Sequence, residues 1–179
     1  MVFSTLKQAT QPSTTALRFT ACNVLLQEIP AEVSLAYLIS GCSIGCKGCH
    51  SADSWSAQQG ELLTAARLKQ DIGKYRGLLS CVLMLGGEWQ PGVLSQLLQL
   101  CRQLELKTAL YTGLPYCPSA LLPLLDYVKT GPWQAELGGI NSPSSNQRLY
   151  DLRRQLCLNP LLWPNPAPAY PAKPALAPA

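Results

Sequence analysis

Charge is scarce in this chain. Of its 179 residues only 13% are Asp, Glu, Lys or Arg, where about a quarter is usual in soluble domains. The 14 basic and 10 acidic side chains leave a net charge of +4. No run of Lys or Arg interleaved with aromatics occurs, so binding driven by nucleic-acid phosphates is not expected. Long apolar runs are missing as well. None approaches the roughly 20 residues that span a bilayer. The first 20 residues are polar and carry no apolar export core. These absences point to a soluble cytoplasmic protein with no membrane and no nucleic acid among its partners. Low charge also leaves apolar surface for a partner or a cofactor mouth, although a Pro/Ala-rich tail contributes to the low figure.

Apolar residues, by contrast, make up 47%, and the length suits one domain able to bury its own core. The organisation expected is a flexible segment over 1–20, one domain over 21–158, and a tail over 159–179. Seven prolines from Pro160 onward mark that tail as low-complexity and disordered.

Between these ends the apolar pattern predicts two short strands around Pro30, with residues 34–39 entering a sheet. Leu62, Ala65, Leu68, Ile72 and Tyr75 form a helical stripe over 61–76, stopped at Gly77. Residues 80–85 are continuously apolar, as in a strand buried on both faces, and end in Gly86-Gly87. A second helix is expected over 93–104, a third strand over 107–112, a short helix over 120–125 and a fourth strand over 126–129. Alternating strands and helices imply an α/β fold with a parallel sheet. The chain is short for a full eight-fold barrel, which takes about 200 residues or more, so the expected fold class is α/β with an open partial (β/α) barrel.

Cysteine is the unusual count. There are eight, and three crowd into Gly41-Cys42-Ser43-Ile44-Gly45-Cys46-Lys47-Gly48-Cys49-His50. The spacing is C-x3-C-x2-C, directly after a predicted strand. Three thiolates on one short loop can each bind one iron of a cubane, whose ordinary form takes four cysteines. With no fourth cysteine nearby, one iron would stay open to a second molecule. A zinc site with His50 as fourth ligand is the alternative, although structural zinc favours paired C-x2-C units. Cys22, Cys81, Cys101, Cys117 and Cys157 show no ligand spacing and read as ordinary thiols.

The C-x3-C-x2-C loop resembles the signature of the radical S-adenosylmethionine superfamily. The wider stretch CKGCHSADSW, together with LLQEIPAEVSLAYLISGC and LDYVKTGPWQAELGGINSPSSNQRLYDL, is similar to the activating enzymes of anaerobic, class III ribonucleotide reductase, over about residues 22–152. The resemblance implies that Cys42, Cys46 and Cys49 hold a [4Fe-4S] cluster whose open iron binds S-adenosyl-L-methionine. Reductive cleavage would then give a 5′-deoxyadenosyl radical that takes hydrogen from a glycine of the reductase's large catalytic subunit. A low-potential donor such as flavodoxin or ferredoxin would supply the electron.

Gly86, Gly87 and Glu88 resemble the superfamily turn that binds the methionine amino group, with Trp89 where relatives often carry Pro. Tyr111, Thr112 and Gly113 end the third strand as candidate ribose or adenine contacts. Lys129 is a candidate for the cofactor carboxylate. Asn146, Gln147 and Arg148 are candidates for the active-site mouth or the partner, with a helix start after Ser144-Ser145 as the plain reading. Trp55 and Trp133 read equally as core or rim. Two rivals remain: an activase of another glycyl radical enzyme, and a non-catalytic metal-binding interaction module.

Overall fold

The computed structural model describes residues 16–176. Nine strands form one sheet, and two α-helices follow the first two parallel strands. In chain order the strands are β1 (Leu17–Leu25), β2 (Ser34–Ile39), β3 (Glu61–Leu63), β4 (Cys81–Leu85), β5 (Lys107–Tyr111), β6 (Tyr127–Thr130), β7 (Arg148–Asp151), β8 (Leu156–Cys157) and β9 (Tyr170–Pro171); the helices are α1 (Ala65–Lys74) and α2 (Pro91–Gln103). Their spatial order is β3-β1-β2-β4-β5-β6-β7-β8-β9. β2, β4, β5 and β6 pair in parallel. The strands outside them are antiparallel, so the sheet is mixed and open, with β3 and β9 at its edges.

Strand alternation sorts the core. Leu35, Tyr37, Val82, Met84, Leu110 and Val128 face one side, where Leu68 of α1 and Leu94, Leu97, Leu98 and Cys101 of α2 cover them. Ala36, Cys81, Leu83, Ala109 and Tyr127 face the other side, against Ile29, Leu149 and Leu158. Helices of this length are marginal alone in water. Each fully buried Leu contributes about 1.5–3 kcal/mol, so packing on the sheet, rather than propensity, holds α2 in place. Both faces are covered, as the continuous apolar run of β4 requires.

Several expectations change. Residues 1–15 lie outside the described residues, but Leu17–Thr20 belong to β1, inside the segment read as flexible. The side chains of Leu17 and Phe19 are buried, and their backbone pairs with Leu63 and Glu61. The helix expected over 61–76 begins only at Ala65: Glu61–Leu63 is an edge strand, and Thr64 Oγ1 caps the helix by accepting from Arg67 N–H at 3.1 Å. The helix expected over 120–125 is a single 3-10 turn, Leu122–Leu124, because Pro123 has no N–H to continue it. No helix starts after Ser145, where β7 begins at Arg148 instead.

The tail also holds structure. Asn159–Leu162 form a 3-10 turn and β9 pairs with β8. Asn159 is buried. Its Oδ1 accepts from Leu149 N–H at 2.7 Å, and its Nδ2 donates to the carbonyls of Gln147 at 2.9 Å and Ile140 at 3.2 Å. Low-complexity composition concealed this one side chain that satisfies three backbone groups. Among the described residues no helix is long and apolar enough to cross a membrane.

Glu32, a buried residue of the β1–β2 connection, braces the amino ends of the parallel strands. It accepts from Tyr127 Oη at 2.6 Å and pairs with Lys107. Burial pushes its carboxyl up, but the hydrogen bonds from Lys107, Ser80 and Tyr127 outweigh this and hold it below the ordinary glutamate range. The unfolded chain therefore takes the proton first as pH falls. The stabilisation is present above the unfolded value and is lost as the pH drops through the folded one. In urea titrations from neutral to acid pH, Glu32→Gln should remove part of the acid-side slope; identical slopes would show that the pairing contributes nothing.

Candidate functional site

The four parallel strands leave the sheet at the same edge, and each delivers part of one cavity of about 240 Å³. β2 runs into Ser40 and Gly41. Ser40 N–H donates to Arg18 O and Gly41 N–H to Ser54 O, both at 2.8 Å. Gly41, Gly45 and Gly48 have φ of +106°, +66° and +70°, backbone that a side chain disfavours, and these kinks bring the loop back on itself. Cys49 N–H donates to Cys46 O at 3.1 Å. The thiols of Cys42, Cys46 and Cys49 are half-buried and line the cavity. Ser51 N–H lies 3.4 Å from Cys49 Sγ, the kind of contact that orients and tunes a metal-bound sulfur.

β4 runs into Gly86 and Gly87, with φ of +95° and +104°. The turn closes with Gln90 N–H donating to Gly87 O at 3.0 Å. Glu88 is buried. One carboxylate oxygen accepts from Thr112 Oγ1, while Oε2 has no partner among the described residues. Burial pushes this carboxyl up, against the hydrogen bond from Thr112. Thr112 also accepts from Leu114 N–H at 3.0 Å, so it positions Glu88 from a fixed rotamer.

Gly113 lies beneath the cysteine loop: a Cβ there would stand 2.6 Å from Ile44 Cδ1. Tyr111 lines the cavity, and its hydroxyl is already engaged, donating to Glu28 O. Lys129 of β6 is buried. Its Nζ donates to Gly131 O at 3.0 Å and stands 6.0 Å from the Tyr111 ring centroid. Burial lowers its pKa to about 8, opposed by Cys46, Glu88 and Cys49.

The three mouth candidates separate. Gln147 lines the cavity. Asn146 instead donates to Pro132 O at 2.9 Å, and Arg148 to Gln147 O at 2.8 Å and to Ser145 O. Trp133 stands on the rim with its ring centroid 4.6 Å from that of His50, and Trp55 also lines the cavity. Two contacts were not legible in the sequence: Ile44 against Gly113, and the indole of Trp89 against Gly41 and Gly86. The one available signal was an aromatic directly after Gly-Gly-Glu.

Soft thiolate donors suit iron–sulfur or zinc chemistry. No three His, Cys, Asp or Glu side chains among the described residues converge on one ion. A cubane asks for something else, one thiolate at each of three iron corners, and three half-buried thiols on a single loop fit that demand. The unpartnered Glu88 oxygen fits an ammonium group in the same cavity.

Comparisons with known proteins point to an iron–sulfur family. A family model described as a 4Fe-4S single cluster domain matches residues 32–149. The pyruvate formate-lyase-activating enzyme of Clostridium pasteurianum is 32% identical over 79 residues, covering 41% of this chain and 33% of that enzyme. The match thus spans about a third of the length of this curated relative.

Thr112→Val should leave the Glu88 carboxyl without a side-chain donor. The expected cost is about 1–3 kcal/mol of stability at neutral pH, read from urea unfolding of the apoprotein. An unchanged midpoint would show that Thr112 does not support the carboxylate.

Proposed function

The chain belongs to the 4Fe-4S single cluster domain family, and from that premise we propose that it is a radical S-adenosylmethionine activase of a glycyl radical enzyme. The observation that carries this reading is the meeting, in one cavity, of the three thiols of Cys42, Cys46 and Cys49 with the unpartnered carboxylate oxygen of Glu88 and the Lys129 ammonium. In this reading the open mixed sheet is a partial (β/α) barrel, and its ligands sit at the carboxyl ends of the strands.

When bound, a [4Fe-4S] cluster would pass one electron from the external donor to the sulfonium of S-adenosylmethionine, whose S–C5′ bond would break to give methionine and a 5′-deoxyadenosyl radical able to take hydrogen from a glycine. The residues have supporting tasks. Cys42, Cys46 and Cys49 hold three irons. The backbone of Gly86 and Gly87 lets a ligand approach closely. Glu88 accepts from the methionine ammonium in surroundings where a charge-assisted bond is strong. Lys129 offers a cation to the methionine carboxylate, and Thr112, Gly113 and the Tyr111 ring form the wall for the nucleoside. Gln147, with His50 and Trp133, frames the mouth through which a protein loop reaches the reacting carbon.

The proposed partner is the large subunit of an anaerobic ribonucleotide reductase, with flavodoxin or ferredoxin as electron donor. Likeness of residues 125–152 to that branch of activases supports the reductase. The similarity to a pyruvate formate-lyase-activating enzyme supports a second partner class, a lyase of the glycyl radical type.

After anaerobic cluster reconstitution and dithionite reduction, wild type should release 5′-deoxyadenosine, and Cys42→Ala, Cys46→Ala and Cys49→Ala should each abolish it. Cleavage retained by any of the three would sink the ligand assignment. Glu88→Gln should raise KM for S-adenosylmethionine about tenfold, the effect of roughly 1.4 kcal/mol; an unchanged KM would remove Glu88 from the binding site. Incubation with each candidate partner, read by the glycyl doublet in electron paramagnetic resonance, distinguishes reductase from lyase.

A further inference from the structure

The parallel ladder between β2 and β4 ends at the pair Leu38 and Leu85. Beyond it the backbone partners diverge. Ser40 N–H goes to Arg18 O, Gly41 N–H to Ser54 O, and Gly86 N–H to Tyr111 O at 2.9 Å. None of these bonds ties the cysteine loop to the Gly-Gly turn, although both must face one cavity. Ile39 at the end of β2 packs on the turn, where a Cβ on Gly87 would stand 3.6 Å from its Cγ2, and the indole of Trp89 reaches both the turn and Gly41. A Cβ on Gly41 would stand 3.1 Å from Trp89 Nε1, and a Cβ on Gly86 would stand 2.7 Å from Trp89 Cη2 and 3.1 Å from Cζ3. The pyrrole edge of the indole thus covers the residue before Cys42, and its benzo edge covers the turn that carries Glu88.

The base of this side chain is anchored. Trp89 lies between Glu88 and the Gly87–Gln90 hydrogen bond, two residues before Pro91 at the first position of α2. The indole is packed against the core yet only partly buried, and it lines the cavity. A side chain at Gly86 would collide with the benzo edge and one at Gly41 would crowd the pyrrole edge, so the indole fits only against these two bare backbones.

We propose that Trp89 is a positioning residue, a clamp that sets the cysteine loop against the Gly-Gly turn and so fixes the spacing between the cluster ligands and Glu88. Its consequence for S-adenosylmethionine rests on the activase reading; the clamp itself does not. Small displacements of a bound group cost up to about a hundredfold in rate, which is why a rigid bridge at this place matters.

Amide exchange of the apoprotein, followed residue by residue by NMR, tests the clamp. In Trp89→Ala, exchange should quicken by about tenfold or more at both Gly41 and Gly86 through local opening, while Leu83 and Ala109 in the sheet interior keep their rates. The shorter ring of Trp89→Phe gives up the benzo edge first, so Gly86 should quicken more than Gly41. Uniform acceleration across the sheet in the Phe variant, or unchanged rates at both glycines in either variant, would overturn the proposal. With reconstituted protein, Trp89→Ala should retain its iron but lose much of the change that S-adenosylmethionine makes in the resonance spectrum of the reduced cluster; a full wild-type response would also overturn it. If the wild-type spectrum ignores S-adenosylmethionine, the activase reading fails, and the amide rates still decide the clamp.

Discussion

Parallel pairing of β2, β4, β5 and β6 is the constraint from which the site follows. Parallel strands must all exit at one edge, so four connections that are far apart in the chain are forced into neighbouring positions there. The register carries this through residue by residue: Leu38 stands opposite Leu85, Leu85 opposite Tyr111, and Tyr111 opposite Lys129. One to several residues beyond this row come Cys42, Gly86, Glu88 and Thr112. A one-residue slip in any pair would turn the alternating side chains of that strand to the opposite face, setting Val82 and Met84 of β4, Leu110 of β5 or Val128 of β6 against a layer packed around other side chains. The cost of that mispacking is what fixes the geometry of the cavity rim.

The opposite edge is fixed by polar groups. Glu32 joins Lys107 at the start of β5 to Tyr127 at the start of β6. Asp126, also buried, accepts from Thr108 N–H at 2.8 Å and pairs with Arg153. Buried polar groups of this kind are costly unless satisfied, and their partners come from different strands. They therefore favour a single alignment of the strands, and a rigid base holds the loops at the other edge.

Much of the sheet was legible in the sequence because its signals are local. β2 and β4 show up as short, dense apolar runs bounded by Ser-Gly and Gly-Gly. α2 shows up as an apolar stripe at helical spacing over 93–104, and the structure starts it two residues earlier, at Pro91. Elements that fail this test depend on distant partners. Leu17–Thr20 and Glu61–Leu63 are strands because each is the other's neighbour through β1 and β3, and nothing within either segment announces it. Asn159 sits in a proline-rich stretch whose composition argues for disorder, yet it is held by three backbone groups more than nine residues away along the chain. The site divides in the same way. The C-x3-C-x2-C spacing is a local fact, whereas the different directions taken by Gln147, Asn146 and Arg148 come from the strand that they introduce.

The sequence by itself determined the donor chemistry, three thiols on one glycine-bearing loop, and the α/β character, because both are written in residues close together along the chain. Only the tertiary structure decided which groups meet those thiols. Glu88, Thr112, Gln147 and the buried Lys129 come from three further strand ends and the segment before β7, and Trp89 bridges two loops that share no backbone hydrogen bond among those described. Spacing along a chain fixes local geometry, but distances between chain segments are set by burial and register, which exist only once the sheet has formed.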